Sequence, residues 1–143
     1  MGRLLAIDYG KKRTGIAVSD PLQIIANGLT TVATHELETF LKDYLTRESV
    51  DEIIIGLPVQ TTGQASENQA RVRQFTNRLK KLFPQLPVTF YDERYTSVLA
   101  HKAMLEGGLP QSRRRDKALV DEISATIILQ SYMEHRRLTG RHQ

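Results

Sequence analysis

The sequence predicts an α/β fold in which a five-stranded sheet of mixed strand direction is flanked by helices. Two short apolar runs, 4–7 and 16–18, lie on either side of a glycine-bounded basic turn, a pattern typical of a β-hairpin. An apolar stretch over 24–32 follows and can continue the sheet as a third antiparallel strand. Two later apolar runs are each preceded by a helical pattern, which favours parallel strands joined through helices.

Composition and charge limit the class of protein. With 143 residues, 40% of them hydrophobic and 25% charged, the chain is expected to form one globular domain with its own core. The net charge of +4 weakly favours a polyanionic partner. The absence of cysteine excludes disulfides, thiolate metal sites and thiol nucleophiles. Since the sequence shows no signal-peptide pattern and no run of ~20 apolar residues, we expect a cytoplasmic protein without membrane contact.

The first strand ends in a carboxylate. Alternation with a period of two places Asp8 on the same face as Leu4 and Ala6, and Gly10 and Gly15 are expected to bracket the turn that follows. Binding sites in α/β sheets form at strand ends, which favours a functional role for Asp8. An aspartate at a strand end is also a common turn former, so this stretch alone leaves both interpretations open.

Three further strands complete the predicted sheet. Their ranges are 24–32, 53–55 and 87–91. The first is expected to be interrupted at Asn27 and Gly28, a pair that favours turns. The second is apolar throughout, as is typical of a parallel strand buried on both faces.

Helical patterns separate and follow these strands. Their approximate ranges are 35–47, 66–83, 96–106 and 117–137. Thr34 occupies the N-cap position of the first helix, and Ser66 with Gln69 fits a capping box for the second. The basic side chains of that second helix are interpreted as a solvated face. No composition shift marks an internal boundary, so residues 1–138 are predicted to form a single domain, followed by a basic tail, 139–143, that is expected to be disordered.

Three acidic residues fall where such a sheet would gather them. Asp8 ends the first strand, Glu93 follows the last strand, and Asp121 lies one turn into the final helix on its apolar face. If that helix crosses the sheet with its first turn at the strand ends, the three carboxylates converge. Converging carboxylates are costly without a partner and suit Mg²⁺ or Mn²⁺. Two such ions can support phosphodiester hydrolysis.

Each acid also has a structural alternative. Glu93 could pair with Arg94, and Asp121 could pair with Lys117, four residues earlier on the same helix face. For each residue considered alone, the ion pair is a stronger explanation than a functional role. For the residues considered together, two separate ion pairs are less convincing than one shared site.

Other catalytic patterns find no support. The glycines at positions 10 and 15 have the spacing of a phosphate-binding loop, but Ile16 and Ala17 follow where a Walker motif needs Lys and Ser or Thr. A two-lobed ATPase with an Asp-x-Gly motif would need a longer chain. The four histidines show no metal-binding spacing, and no G-x-S-x-G motif indicates a serine hydrolase.

Four motifs in order resemble the YqgF (RuvX) family. They are I-D-Y-G-K-K-R-T-G-I-A-V-S-D at 7–20, G-L-P at 56–58, D-E-R-Y-T-S at 92–97 and D-E-I-S-A at 121–125. The resemblance covers essentially the whole chain and implies an RNase H-like fold similar to that of the RuvC junction resolvases. One departure lies in the loop 59–63, where many members carry an acidic residue before the glycine.

The resemblance also implies site residues and a cofactor. Asp8, Glu93 and Asp121 would be the catalytic and metal-binding set, with Mg²⁺ or Mn²⁺ as the ion. The basic residues expected to contact nucleic acid are Lys11, Lys12, Arg13, Arg94, Arg113, Arg114, Arg115 and Lys117.

The expected function is metal-dependent endonucleolytic cleavage of structured nucleic acid. Family members are described as nucleases proposed to act at the 5′ end of pre-16S rRNA, and an earlier proposal made them Holliday junction resolvases. Precursor rRNA is therefore the favoured partner and branched DNA the alternative, since phosphate contacts alone do not distinguish RNA from DNA. A non-catalytic RNA-binding factor in ribosome assembly is a further alternative. The chain could be a monomer or a homodimer; a resolvase would need two sites related by symmetry.

Overall fold

The computed structural model describes residues 2–58, 67–96 and 117–139, in which five strands form one mixed sheet. The strands are β1 (Arg3–Asp8), β2 (Arg13–Ser19), β3 (Ala26–Ala33), β4 (Val50–Leu57) and β5 (Val88–Asp92). Their order across the sheet is β3-β2-β1-β4-β5. β1, β2 and β3 pair antiparallel, whereas β4 lies parallel to both β1 and β5. The predicted mixed sheet is confirmed.

Helices cover both faces of this sheet. They are α1 (Leu37–Arg47), α2 (Glu67–Leu82) and α3 (Lys117–Leu138), with 3-10 turns at Thr34–Glu36 and Glu93–Tyr95. α1 and α2 pack on one face and α3 crosses the other, mainly over β1, β2 and β3. In the described part of the chain, no helix combines the length and apolar character needed to cross a bilayer.

The alternation of β1 divides the core into two layers. Leu5 and Ile7 are fully buried against α1 and α2, whereas Leu4 and Ala6 are buried against α3. The apolar triplet of β4 is buried on both faces in the same way, as its sequence predicts. Asp8 continues the α3-facing series, so its carboxylate is presented on that side at the end of the strand.

The predicted interruption of β3 at Asn27 and Gly28 is wrong. Both residues lie within the strand, and a register shift in the β2–β3 pairing accommodates them, as a bulge does. The strand also begins later than predicted, because the backbone N–H groups of Ile24 and Ile25 donate to the Asp20 carboxylate (2.7 and 2.8 Å) and so belong to a loop.

The predicted N-cap at Thr34 is also wrong. α1 begins at Leu37 after a 3-10 turn, and the Thr34 hydroxyl donates instead to the carbonyl oxygen of Gly10 at 2.7 Å. Ser66 of the predicted capping box lies outside the described residues, as do residues 97–106 of the predicted helix 96–106. The predicted bounds of α3 agree with the structure to within one residue.

Candidate nuclease site

Two glycines flank Asp8 on the α3-facing side of the sheet. Gly15 of β2 is the cross-strand partner of Asp8. On the other side Ile7 pairs with Ile55, so Gly56 of β4 lies beside Asp8. Because neither glycine carries a side chain, the surface around the Asp8 carboxylate is open to groups from other elements.

Gly15 allows the backbone of α3 to lie directly on the sheet. A methyl group at this position would overlap the carbonyl group of Asp121 and reach within 3.0 Å of the Glu122 backbone nitrogen. The first turn of α3 is therefore fixed beside the end of β1, as the expected crossing requires. This close approach places Asp121 next to Asp8.

Gly56 has the corresponding role for Glu93. A methyl group there would lie 2.5 Å from Cδ1 of Ile128 and 3.3 Å from Cδ of Glu93. Glu93 opens the 3-10 turn after β5, so its side chain extends back over β4 towards Asp8. The structure thus brings Asp8, Glu93 and Asp121 to one edge of the sheet.

The Asp8 carboxyl group lies in an unfavourable place for a negative charge. Burial, followed by the charges of Glu93 and Asp121, raises the pKa of Asp8 from 3.8 to about 7. Burial and the charge of Asp92 also raise the pKa of Glu93. A group of carboxylates that repel one another in a partly dehydrated place is a favourable environment for a cation.

Basic side chains lie close to these acids. Nε of Arg13 lies 2.8 Å from Oδ2 of Asp121, and the alternative pair of Asp121 with Lys117 involves a side chain that the structure does not describe. Arg94 pairs with Asp92 at 2.8 Å and leaves Glu93 without the ion pair considered for it. Among the described residues, no three acidic or histidine side chains stand close enough together to hold one ion.

The turn between β1 and β2 presents basic side chains beside the acids. Thr34 anchors this turn, because its hydroxyl donates to the Gly10 carbonyl and its backbone N–H donates to the Lys12 carbonyl at 2.9 Å. Lys11 and Lys12 are exposed and form no ion pair with the described residues. They are therefore held close to the carboxylates and remain available to an anionic ligand.

The structure describes only some of the remaining basic residues that were predicted to contact nucleic acid. Arg94 is placed beside the acids, although Asp92 holds its guanidinium. Lys117 is the first residue of α3, and its side chain lies outside what the structure describes. The run 113–115 also lies outside the described residues.

Sequence reasoning missed the importance of Gly15 and Gly56. Gly15 was expected to close the turn, but the turn lies between Asp8 and Arg13, and Gly15 is inside β2. A signal existed, since Gly15 comes directly before the apolar run 16–18 and Gly56 directly after the run 53–55. A glycine inside a strand often marks the close approach of another backbone, but the approaching element cannot be named from the strand alone.

A family model described as "RuvX: Holliday junction resolvase" matches residues 2–135. The chain belongs to the RuvX family. A relative in Bacteroides thetaiotaomicron named "Putative pre-16S rRNA nuclease" is 63% identical over 137 residues, or 96% of this chain and 99% of the relative. A relative with the same name in Porphyromonas gingivalis is 54% identical over 94% of this chain and 98% of its own length. Another in Flavobacterium johnsoniae is 50% identical over 96% of this chain and 99% of its own length.

Solved structures agree with the fold of this RuvX chain. RuvC of T. thermophilus in complex with a Holliday junction substrate matches with a TM-score of 0.60 and 12% identity over 99% of this chain and 98% of that one. The structure titled "Thermus thermophilus RuvC structure" matches with a TM-score of 0.53 and 13% identity, over 93% of this chain and 96% of that one. At this level of identity the likeness concerns the fold, and it confirms the RNase H-like architecture.

Proposed function

We propose that this RuvX protein is a metal-dependent endonuclease that cleaves structured nucleic acid, with the 5′ end of pre-16S rRNA as its substrate. The observation that carries the proposal is the gathering of Asp8, Glu93 and Asp121 at one sheet edge beside an exposed basic turn. The names of relatives at 50–63% identity support the choice of substrate. Because such a substrate is found where ribosomes are made, we also propose a cytoplasmic location.

The chemistry of the acidic group fits a hard divalent cation. Its members supply oxygen ligands, which Mg²⁺ and Mn²⁺ prefer. The raised pKa of Asp8 reflects burial first and then repulsion from Glu93 and Asp121, and a cation would offset both. We propose Asp8, Glu93 and Asp121 as the residues that hold the ion, with Asp121 exchanging its pair with Arg13 for this role. When bound, the ion supplies activation of water and neutralisation of charge on the phosphate.

The residues of the chain itself position the phosphate. Lys11 and Lys12 attract the backbone of the nucleic acid without reading its sequence. Arg13 has a planar guanidinium suited to two phosphate oxygens, and it becomes free for that contact when it leaves Asp121. In its ionised form, Asp8 can also orient an attacking water by accepting its hydrogen bond. The basic and acidic groups thus act on the same phosphodiester.

The test is cleavage of a precursor small-subunit rRNA fragment and of a four-way DNA junction, side by side, with Mg²⁺, with Mn²⁺ and with chelator. We expect metal-dependent cleavage of the RNA. Glu93→Gln should lower the rate at least about 100-fold, the size of effect expected when electrostatic stabilisation of the transition state is lost together with a ligand of the ion. Asp43→Asn is the matched control, because Asp43 is an exposed carboxylate on α1 that pairs with Arg47.

Each result in this assay decides between functions. Equal rates for Glu93→Gln and the parent would contradict the assignment of the site. Binding of the RNA without cleavage under any metal would favour a non-catalytic assembly factor.

The basic turn gives a prediction for affinity. Replacing Lys11 and Lys12 together by Ala should weaken RNA binding at low salt and lower the slope of log affinity against log salt by about 1–2, since two phosphate contacts are lost. Binding titrations at several salt concentrations measure this slope. Lys80 and Lys81, exposed at the last turn of α2, give a control pair whose replacement should leave the slope unchanged.

A junction resolvase is the second candidate function. The description of the family and the fold shared with a junction-bound RuvC favour it. Paired incisions across a symmetric junction require a dimer, whereas RNA processing can be performed by a monomer. Symmetric nicking of the junction by a dimeric protein would replace the proposed RNA substrate by branched DNA.

A further inference from the structure

A second concave site lies on the α3 side of the sheet, along the edge strand β5. Its volume is about 500 Å³, which is large enough for a nucleoside-sized ligand. One end is formed by Asp92 and Tyr95, which belong to or adjoin the 3-10 turn that carries Glu93. The cleft therefore begins at the proposed nuclease site and leads away from it.

Aromatic side chains dominate the walls of this cleft. The protein has five tyrosines, and three of them, Tyr91, Tyr95 and Tyr132, line it together with His135. Tyr91 is buried and makes edge-to-face contacts with Tyr132 and His135, with ring centroids 5.9 and 6.4 Å apart. These three rings therefore form a fixed wall.

Tyr95 differs from the other rings because it is 64% exposed. Its backbone carbonyl accepts a hydrogen bond from the Tyr91 hydroxyl at 3.1 Å, which ties the turn to the fixed wall. Among the described residues, no other ring stacks on Tyr95. An aromatic ring on an anchored backbone with its faces accessible is suited to stacking on a planar ligand.

The carboxylates of the cleft are already paired. Glu52 accepts from the Tyr132 hydroxyl at 2.8 Å and lies 3.7 Å from Nη1 of Arg136. Asp92 is held by Arg94. These carboxylates are therefore poorly placed to read the edge of a base, so the ligand would be held mainly by stacking and would be accepted with little regard to its sequence.

We propose that this cleft holds an unpaired nucleobase of the substrate strand next to the phosphate that is cleaved, stacked on Tyr95. The proposal rests on the proposed function for the identity of the ligand as nucleic acid. It adds a requirement on the substrate, because a base inside a continuous duplex cannot enter the cleft. A single-stranded stretch beside a paired region meets this requirement, whereas a fully paired four-way junction does not.

The test is binding of a short single-stranded oligoribonucleotide that contains 2-aminopurine, measured by its fluorescence in the presence of chelator. Stacking on an aromatic ring quenches this base, so the parent protein should quench it. Tyr95→Ala should abolish the quench and weaken binding about tenfold, whereas Tyr95→Phe keeps the ring and should stay within about twofold of the parent. Leu22→Ala is the matched control, since Leu22 is 65% exposed and lies between β2 and β3.

Two outcomes would overturn the inference. One is equal quenching and affinity in Tyr95→Ala and the parent. The other is equal quenching when the same strand is annealed to its complement. Failure of the proposed function would look different, because the quench would persist in the parent while no metal supported cleavage. If cleavage is observed, Tyr95→Ala should raise KM for a substrate with an unpaired flanking nucleotide by about the same tenfold while kcat changes less.

Discussion

Replacing Asp8 with Asn should abolish cleavage and, in the absence of metal, make the protein more stable at neutral and alkaline pH. The ionised Asp8 carboxylate is disfavoured by burial and by the charges of Glu93 and Asp121. Asn has nearly the same shape and carries no charge, so the repulsion disappears. We expect the free energy of unfolding at pH 8 to rise by about 1–3 kcal/mol, from the conversion of a pKa shift to energy with allowance for relaxation.

The pH dependence gives this prediction its sign. The pKa of Asp8 is raised from 3.8 to about 7 in the folded protein. Between these values the folded state keeps a proton that the unfolded state has lost, so the contribution of Asp8 to stability falls as the pH rises through this window. The variant lacks this contribution, and its advantage over the parent should therefore be small near pH 4 and largest above pH 7.

Urea unfolding of parent and variant at several pH values, with and without Mg²⁺ or Mn²⁺, measures the effect. A divalent ion should stabilise the parent at pH 8 and leave the Asp8→Asn variant nearly unchanged, since the variant lacks one of the proposed ligands. Asp43→Asn controls for the loss of a carboxylate elsewhere. A variant that is less stable than the parent at pH 8 without metal would show that Asp8 has a structural role instead.

The parts of the fold that follow from local pattern could be predicted from the sequence. The alternation along β1 separated two sets of residues, which the structure shows to face opposite sides of the sheet, and the same rule placed Asp8 at the end of the set that faces α3. The apolar stripe of the last helix likewise placed Asp121 on the side that faces the sheet, as the burial of Ala125 and Ile128 shows. Periods of two and 3.6 carry this information within one element.

Contacts between distant elements could not be predicted in the same way. Thr34 has the residue type of an N-cap, but its hydroxyl donates to the Gly10 carbonyl, 24 residues earlier. Arg13 is 108 residues from Asp121, and nothing in either segment specifies that they pair. A side chain with several possible hydrogen-bond partners binds the one that tertiary packing brings near, and that partner cannot be predicted from the local sequence.

Absence of side chains, rather than their presence, accounts for much of the geometry of the site. Glu93 reaches Asp8 over Gly56, and Asp121 reaches it over Gly15, from the opposite side. The sheet therefore contributes one carboxylate and two glycines without side chains. The other two carboxylates come from α3, which packs on one glycine, and from the turn after β5, which packs on the other. The two glycines act at the level of packing, and their loss would affect catalysis only through the position of these elements.

Replacing Gly15 with Ala should accordingly separate Asp121 from Asp8. The added methyl group would overlap the Asp121 carbonyl group, which belongs to the backbone of α3 and cannot move by a side-chain rotation. We expect a loss of about 3 kcal/mol in the free energy of unfolding, the upper part of the range for overpacking. Cleavage by the protein that remains folded should fall at least about 100-fold, because displacement of a catalytic group by about an ångström has effects of that size.

Gly28→Ala is the matched control, since the atoms nearest to the new methyl group belong to the flexible side chain of Glu122, 2.8 Å away. That side chain can change rotamer, so stability should change by less than about 1 kcal/mol and cleavage should be retained. Thermal unfolding gives the stability difference, and circular dichroism at low temperature gives the folded fraction needed to correct the rates. Equal effects of the two substitutions would contradict the argument, because only one of them displaces the backbone that carries a catalytic carboxylate.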